Sequence, residues 1–107
     1  MTPEQRLRAF RTLVEKSPDD AFARYSLAMG LRAAGRDEEA AGEFAELARR
    51  QPGYVPTYLM WGQVLQALGR VDQARRAYRA GAAAARAAGN DHALSELTQA
   101  ADALNEA

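Results

Sequence analysis

The sequence has no cysteine among its 107 residues, which excludes disulfide bonds, thiolate metal ligands and a cysteine nucleophile together. Neither charge is in excess, because 14 basic and 14 acidic residues cancel. We therefore expect no long-range attraction of the whole molecule to nucleic acid or to an anionic membrane. No apolar run approaches the roughly 20 residues of a membrane-spanning helix, and the N-terminus lacks the apolar core of a signal peptide. These absences predict a cytoplasmic protein without a membrane partner.

The sequence also lacks the residue clusters on which catalysis usually depends. Its single histidine, His92, lies just inside a predicted helix start at Asn90-Asp91, where a solvated surface position is the default. Zinc-ligand spacings and Gly-rich phosphate loops are absent. One acidic cluster is better explained by a solvated helix face than by paired acid/base carboxylates; its members are Glu38, Glu39, Glu43 and Glu46. We predict a protein that is not an enzyme and that has no cofactor and no metal site.

The residues that are abundant, namely alanine, arginine, glutamate and leucine, favour helix because their side chains lose little freedom there. Glycine and proline are few, at 8 and 4 residues. The length fits one compact domain over residues 1–107. Arginine outnumbers lysine 13 to 1, a coding bias that indicates a GC-rich, bacterial genome. The composition therefore predicts a small all-α protein of bacterial origin.

Self-similarity at a spacing of 34 residues organises the chain. The aromatic series Phe10, Phe44 and Tyr78 is evenly spaced. Further pairs at the same spacing are Leu27 and Trp61, Ala28 and Gly62, Leu31 and Leu65, Gly35 and Gly69, Ala40 and Ala74, and Pro18 and Pro52. The alternation of small and large residues suits two helices that approach closely, because small side chains leave gaps that large ones fill. An internal repeat of this length indicates a helical solenoid.

Each period divides into two helices. The first repeat has apolar residues at helical spacing from Ala21 to Ala34. Gly35 suits the left-handed residue after a helix end, and Asp37 is predicted to cap the next helix. The second period follows the same plan from Val55 to Leu68, and its second helix is expected to run on to about Ala88, ending at Gly89-Asn90.

These residues resemble the tetratricopeptide repeat family, whose pattern is W-x2-L-G-x2-Y, then A-x3-F, then P. The first repeat reads Arg24-x2-Leu27-Ala28-x2-Leu31, then Ala40-x3-Phe44, then Pro52. The second reads Tyr58-x2-Trp61-Gly62-x2-Leu65, then Ala74-x3-Tyr78, with Arg86 where the closing proline would stand. The resemblance implies an all-α, right-handed α-α superhelix of about six antiparallel helices, a solenoid.

The repeat register divides the chain into four parts. Residues 1–18 are interpreted as an N-terminal half repeat, with Thr2 capping its helix and Pro3 in the first turn. Residues 21–52 and 55–88 are two full repeats. Residues 91–106 lose the repeat pattern but keep an apolar stripe, so we interpret them as a capping helix that covers the last repeat. Met1 and the polar C-terminus favour a complete chain, whose small size suggests an adaptor.

The resemblance also implies a concave groove lined by the first helix of each repeat. The predicted partner-binding residues are Phe22, Tyr25, Met29, Arg32, Leu59, Gln63 and Gln66. An apolar groove with these polar rims suits an amphipathic helix or an extended apolar peptide of another protein. The alternative for each apolar member is packing against the adjacent helix. Chaperone-binding members of the family clamp a C-terminal carboxylate with Lys-x3-Asn, and the matching Tyr25-x3-Met29 and Leu59-x3-Gln63 predict no such clamp.

Two other functions compete with peptide binding. Self-association is the stronger, because an acidic helix in one repeat and a basic helix in the other could pair between molecules, or a second copy could cover an apolar groove or end. Nucleic-acid binding would use Arg75 and Arg79, which share a helix face and are offset there by Asp72 alone. We do not expect it, because useful phosphate binding needs several basic residues on one surface.

Overall fold

A computed structural model describes residues 1–105, and these form six α-helices and no strand. The helices are α1 (Pro3–Lys16), α2 (Ala21–Ala33), α3 (Asp37–Arg50), α4 (Pro56–Ala67), α5 (Val71–Ala87) and α6 (Asp91–Asn105). The bounds of α2 and α4 lie within one residue of the predicted Ala21 to Ala34 and Val55 to Leu68, and α5 runs on to Ala87 as expected where arginine replaces the closing proline. Glu106, the predicted last residue of the capping helix, lies outside the described residues.

Side-chain caps begin three of the helices. Thr2 and Gln5 form a reciprocal capping box: the Gln5 amide donates to Thr2 Oγ1 at 3.1 Å, and the Thr2 amide donates to Gln5 Oε1 at 2.8 Å. Asp20 caps α2 by accepting from the Ala23 amide at 3.1 Å. Asn90 caps α6 in the same way. Each cap satisfies a backbone donor that has no partner within the helix, so the sequence fixes where these helices start.

The predicted cap at Asp37 is wrong. Asp37 is the first residue of α3, and the preceding Arg36 occupies the cap position without a side-chain hydrogen bond to the helix. The reason is the tight turn before it, where Gly35 has a φ of +76° and the Arg36 amide donates to Leu31 O at 2.9 Å. This backbone closure places Asp37 one position further in. Its charge still lies in the first helical turn, where it favours the positive end of the helix dipole.

Gly69 and Gly89 repeat the left-handed turn of Gly35, with φ values of +78° and +68°. In each turn the amide after the glycine donates back to a carbonyl five residues earlier, as from Arg70 to Leu65 O at 2.8 Å. Glycine adopts this conformation without the steric cost that a side chain would add. The three turns reverse the chain at the C-terminal ends of α2, α4 and α5.

Each helix packs against the next in sequence, and α4 also contacts α2 and α6. The first helices of the hairpins, α2 and α4, therefore lie side by side with α6 in one layer, while α1, α3 and α5 lie behind them. The core between the layers uses small residues at close approaches, with Ala28, Ala40 and Ala74 fully buried. Phe44 and Tyr78 fill the adjacent space, as the repeat pattern predicts, whereas Trp61 is only partly buried. The molecule measures 40 × 29 × 20 Å.

Candidate functional site

The layer of α2, α4 and α6 bounds an open apolar groove of about 280 Å³. Its apolar lining comes from all three helices and from Val55, the residue before α4. The lining residues are Tyr25, Val55, Pro56, Leu59, Met60, Ala93 and Leu97. Three polar residues, Asn90, His92 and Glu96, edge it on the α6 side. Several half-buried apolar side chains that pack against the edge of the core thus meet on one face of the molecule, and the buried Leu97 belongs to the core itself.

The structure brings together some of the predicted site residues. Tyr25 and Leu59 line the groove directly. Met29 and Leu59 also pack partly against the core, as the alternative interpretation of these positions anticipated. Phe22, in contrast, is 68 % exposed and is not part of the groove lining.

Tyr25 is held by two neighbouring aromatic rings. It meets Phe44 edge-on with 6.2 Å between ring centroids, and Tyr54 edge-on at 5.9 Å. Burial raises the pKa of Tyr25, the neighbouring Tyr54 raises it further, and the charge of Arg32 lowers it. The hydroxyl group therefore stays protonated at neutral pH and can donate a hydrogen bond at the groove. Tyr54 was not predicted, because it lies in the loop after Pro52-Gly53 and outside the repeat pattern.

Arg32 spans from α2 towards α4. Its Nη1 lies 3.3 Å from Met60 Sδ, and its charge lowers the pKa values of both Tyr25 and Tyr78 against the upward effect of burial. The residue as a whole is partly buried. Arg32 thus places a positive charge among aromatic and sulfur-containing side chains beside the groove.

Gln66, although exposed, is already engaged within the protein. Its Oε1 accepts a hydrogen bond from the Tyr78 hydroxyl group, which joins α4 to α5. Burial raises the pKa of Tyr78, so this donor remains protonated at neutral pH. Gln63 is half-buried one turn earlier on the same helix. Both glutamines were predicted at the site, and Gln66 has a structural role because it accepts the hydrogen bond from Tyr78.

The α6 wall of the groove was missed by the sequence analysis. Ala93 and Leu97 are four residues apart and face the groove, a spacing that could have indicated it. His92 is exposed, and its Nε2 lies 3.2 Å from Glu96 Oε1. Among residues 1–105 no group of three or more His, Cys, Asp or Glu side chains is placed to hold a metal ion.

The acidic cluster on α3 is paired with arginines and is not simply solvated. Three of its residues pair as Glu39 with Arg36 at 2.5 Å, Glu43 with Arg24 at 2.7 Å and Glu46 with Arg49 at 2.5 Å, and Glu38 pairs with Arg70. The hydrogen bond from Arg36 lowers the pKa of Glu39, and that from Arg49 lowers the pKa of Glu46. Glu43 and Glu38 therefore join α3 to other parts of the fold, whereas the pairs of Glu39 and Glu46 are local to α3.

Arg75 and Arg79, the residues considered for nucleic acid, point to the end of α6. Arg75 donates to Leu104 O at 3.1 Å and pairs with Asp72 at 2.9 Å. Arg79 Nη2 lies 3.4 Å from Asn105 Oδ1. Both arginines are therefore already engaged with polar groups of this chain.

In the part of the chain that the structure describes, no helix has the length and apolar character needed to cross a bilayer.

This arrangement, antiparallel helices in two layers with closely spaced small residues and a groove on one layer, defines a helical-repeat protein. Residues 2–85 match the tetratricopeptide repeat family, and the chain belongs to that family. It is 29 % identical over 92 residues to the TPR repeat-containing protein PA0015 of Pseudomonas aeruginosa, covering 86 % of this chain and 88 % of that protein.

Two solved structures extend the comparison. The solution structure of a tetratricopeptide repeat domain protein from Salinibacter ruber is similar with a TM-score of 0.77 at 35 % identity, over 82 % of this chain and 89 % of that one. PcrH, in its complex with the chaperone binding region of PopD, is similar with a TM-score of 0.89 over 97 % of this chain and 79 % of that one. At 16 % identity the latter shows the fold alone. The predicted fold class is confirmed: six helices pack in sequence as in the superhelical structures of this family.

Proposed function

We propose that this protein is a non-catalytic interaction module that binds a peptide or helix of another protein in the concave groove. The observation that carries the proposal is the apolar groove itself, which three helices line with Tyr25, Leu59 and Ala93. Apolar surface that is open to solvent and edged by polar groups is typical of a site that a partner covers. The proposal includes a cytoplasmic location, no cofactor, and the division of the chain into a half repeat, two repeats and a capping helix.

The structure of PcrH supports the proposal, since that protein is in complex with a region of PopD. The residues proposed to contact the partner are those predicted from the repeat, with Ala93 of α6 added: Phe22, Tyr25, Met29, Arg32, Leu59, Gln63, Gln66 and Ala93. Helix-in-groove recognition places apolar anchors of the partner in such a surface. Gln66 would contribute through the hydrogen bond that it already shares with Tyr78.

An affinity capture with a groove variant tests the proposal. The bait is the protein, exposed to a lysate of a bacterium that encodes it, in wild-type form and as Tyr25→Ala/Met29→Ala. A matched control, Gln73→Ala/Arg76→Ala, changes two exposed residues of α5 on the other layer. Circular dichroism establishes that all three forms are folded. Proteins retained by the wild type and the control and lost from the groove variant support the proposal, whereas identical captures by all three reject it.

Self-association is a second candidate, and the N-terminal end of the stack favours it. Leu13 is 50 % exposed, whereas Leu47, its equivalent one repeat later, is 1 % exposed. Leu47 belongs to a helix that follows a complete first helix, while α1 has no helix before it among the described residues. The exposed Leu13 therefore gives this end an apolar surface that a second copy could cover.

Sedimentation velocity of the wild type and of Leu13→Ser, which changes a residue outside the groove, distinguishes the candidates. A dimer that becomes a monomer in the variant supports self-association through this end. A dimer that instead dissociates as salt is raised would assign the contact to the charged helices. A wild type that is monomeric in both conditions removes this candidate and leaves the groove as the proposed site.

A further inference from the structure

Arginines that are at least partly buried are consistently paired in this protein, with one exception. Five of the six lie within 4.0 Å of a carboxylate: Arg11, Arg24, Arg36, Arg70 and Arg75. The sixth, Arg32, has no carboxylate at that distance among residues 1–105. A partly desolvated cation without an anion is costly, so the exception requires an explanation.

The position of Arg32 in the repeat shows that the helix itself does not require its charge. The equivalent residue 34 positions later is Gln66, so α4 ends without a cation in its last turn. Gln66 is satisfied by the hydroxyl group of Tyr78. In the first repeat the residue equivalent to Tyr78 is Phe44, which has no hydroxyl group. The internal hydrogen bond of the second repeat is therefore impossible in the first.

Arg32 lies beside the groove, where it is a cation that could attract an anion. The guanidinium group reaches Met60 Sδ at 3.3 Å, and Met60 lines the groove next to Tyr25 and Leu59. The other ionisable groups at the groove are His92 and Glu96 on α6, whose Nε2 and Oε1 atoms lie 3.2 Å apart. A carboxylate that approaches Arg32 meets a cation whose attraction is screened less than at an open surface. It would gain a charge-assisted and potentially bidentate hydrogen bond.

We propose that Arg32 binds the side-chain carboxylate of an Asp or Glu within the partner segment, whose apolar residues lie in the groove at Tyr25 and Leu59. This inference rests on the proposed function of the groove and adds the chemistry of the partner: an apolar segment with an internal acidic residue. The acid is a side chain and not the chain terminus, because the positions that clamp a terminal carboxylate are occupied by Tyr25, Met29, Leu59 and Gln63.

Selection from a phage-displayed library of random peptides tests this chemistry without a known partner. The peptides are joined to the coat protein through their C-termini, so that only internal side chains can supply a carboxylate. Peptides that bind wild type but not Leu59→Lys are kept as groove binders. They are then synthesised with amidated C-termini and titrated by fluorescence anisotropy against wild type, Arg32→Gln and the matched control Arg76→Gln, which changes an exposed arginine of α5.

We expect the groove binders to share an Asp or Glu at a fixed distance from their apolar residues. Binding to Arg32→Gln should be weaker by about 10- to 100-fold, the usual range for a hydrogen bond to a charged group, and binding to Arg76→Gln should be unchanged. Replacing the acidic residue of the peptide by its amide should weaken binding to wild type by the same factor. The same replacement should have no effect on Arg32→Gln, because the two changes remove one interaction.

Two outcomes reject the inference and are distinguishable. Groove binders without a shared acidic residue, or with equal affinity for wild type and Arg32→Gln, would overturn the role of Arg32 and leave the proposed function standing. If no peptide distinguishes wild type from a folded Leu59→Lys variant, the groove does not bind peptides, and both the proposed function and this inference fail.

Discussion

Single glycines decide how closely the two layers of this protein approach. A Cβ atom built at Gly62 would lie 2.1 Å from Tyr78 Cε1, and one built at Gly81 would lie 2.3 Å from Tyr58 Cβ. Neither distance is compatible with van der Waals contact, and both neighbours are buried. The aromatic rings can occupy these positions only because the opposing residue has no side chain, which is the physical basis of the small residue in the repeat pattern.

We predict that Gly62→Ala lowers the free energy of unfolding by about 1–3 kcal/mol, the usual cost of overpacking a core. The control is Gly42→Ala on α3, where an added Cβ meets no atom within 4 Å. This second change should raise the free energy of unfolding by up to about 1 kcal/mol, because alanine is the better helix former. Urea denaturation monitored by circular dichroism measures both. Equal effects of the two substitutions would show that the close approach to Tyr78 is not limiting.

Arg24 differs from the family pattern, which has tryptophan at this position. The structure buries it and pairs its Nη1 with Glu43 Oε1 at 2.7 Å, and Nη2 is within 3.5 Å of Pro18 O. An ion pair thus replaces an aromatic ring between α2 and α3. Removing one partner of such a pair leaves a buried charge without compensation.

Glu43→Gln, which keeps the shape of the side chain, should therefore lower the free energy of unfolding by about 1–3 kcal/mol. Glu38→Gln is the matched control on the same helix, since its ion pair with Arg70 is largely exposed and should contribute less than about 1 kcal/mol. Both values come from chemical denaturation at neutral pH. If the two variants are equally stable, the buried ion pair of Arg24 with Glu43 contributes no more to stability than the exposed pair of Arg70 with Glu38.

At the scale of helices, most ends could be predicted because local chemistry decides them. Gly35, Gly69 and Gly89 end helices wherever the chain must turn into the left-handed region, and Thr2 begins one with a capping box. Asp37 was assigned wrongly by one position because the cap is determined by the backbone geometry of the preceding turn. That geometry depends on a carbonyl five residues earlier, which residue preferences do not specify.

The groove could be predicted only in part, and the reason is also visible at this scale. Tyr25 and Leu59 follow from the repeat register, because that register determines the face of α2 and α4. The α6 wall does not, because the repeat pattern is lost there and Leu97 reaches the groove through the packing of α6 against α5. The bond from Tyr78 to Gln66 was also missed, since it joins side chains whose rotamers are set by tertiary packing.

The capping helix α6 should contribute strongly to stability through Leu97, which is buried and close to Gly81 of α5. We expect Leu97→Ala to lower the free energy of unfolding by about 2–5 kcal/mol, through lost burial and the cavity left behind. Thr98→Ala, an exposed neighbour on the same helix, should stay within about 0.5 kcal/mol. Guanidinium denaturation provides the comparison. A small effect of Leu97→Ala would mean that α6 covers the last repeat only loosely.

At the scale of the whole molecule, the architecture is linear. Contacts run from each helix to the next, with additional contacts within the layer of α2, α4 and α6. In such a stack, stability is approximately a sum of local terms between neighbours. The two ends differ, because α6 packs against both α5 and α4, whereas α1 packs against α2 and reaches α3 through the pair of Arg11 with Glu39. The N-terminal end should therefore open more readily than the rest.

Native-state hydrogen exchange should show this asymmetry directly. We expect the amides of α1 to exchange through local opening, with less protection than those of α3 to α5, which require larger unfolding. Leu7 is the buried anchor of α1 against Gly30 of α2. Leu7→Ala should reduce the protection of α1 by roughly 30-fold, corresponding to the lower end of the cost of such truncations. The same change should leave the protection of α4 and α5 unaltered.

Arg8→Ala, an exposed change on the same helix, is the control and should alter no protection factor appreciably. A uniform loss of protection in all six helices of Leu7→Ala would instead mean that the stack unfolds as one cooperative unit. In that case α1 would be held as firmly as the other helices. Local opening of α1 would uncover the buried Leu7 in addition to the already exposed Leu13, so the exchange pattern bears directly on how much apolar surface this end can offer to a second copy.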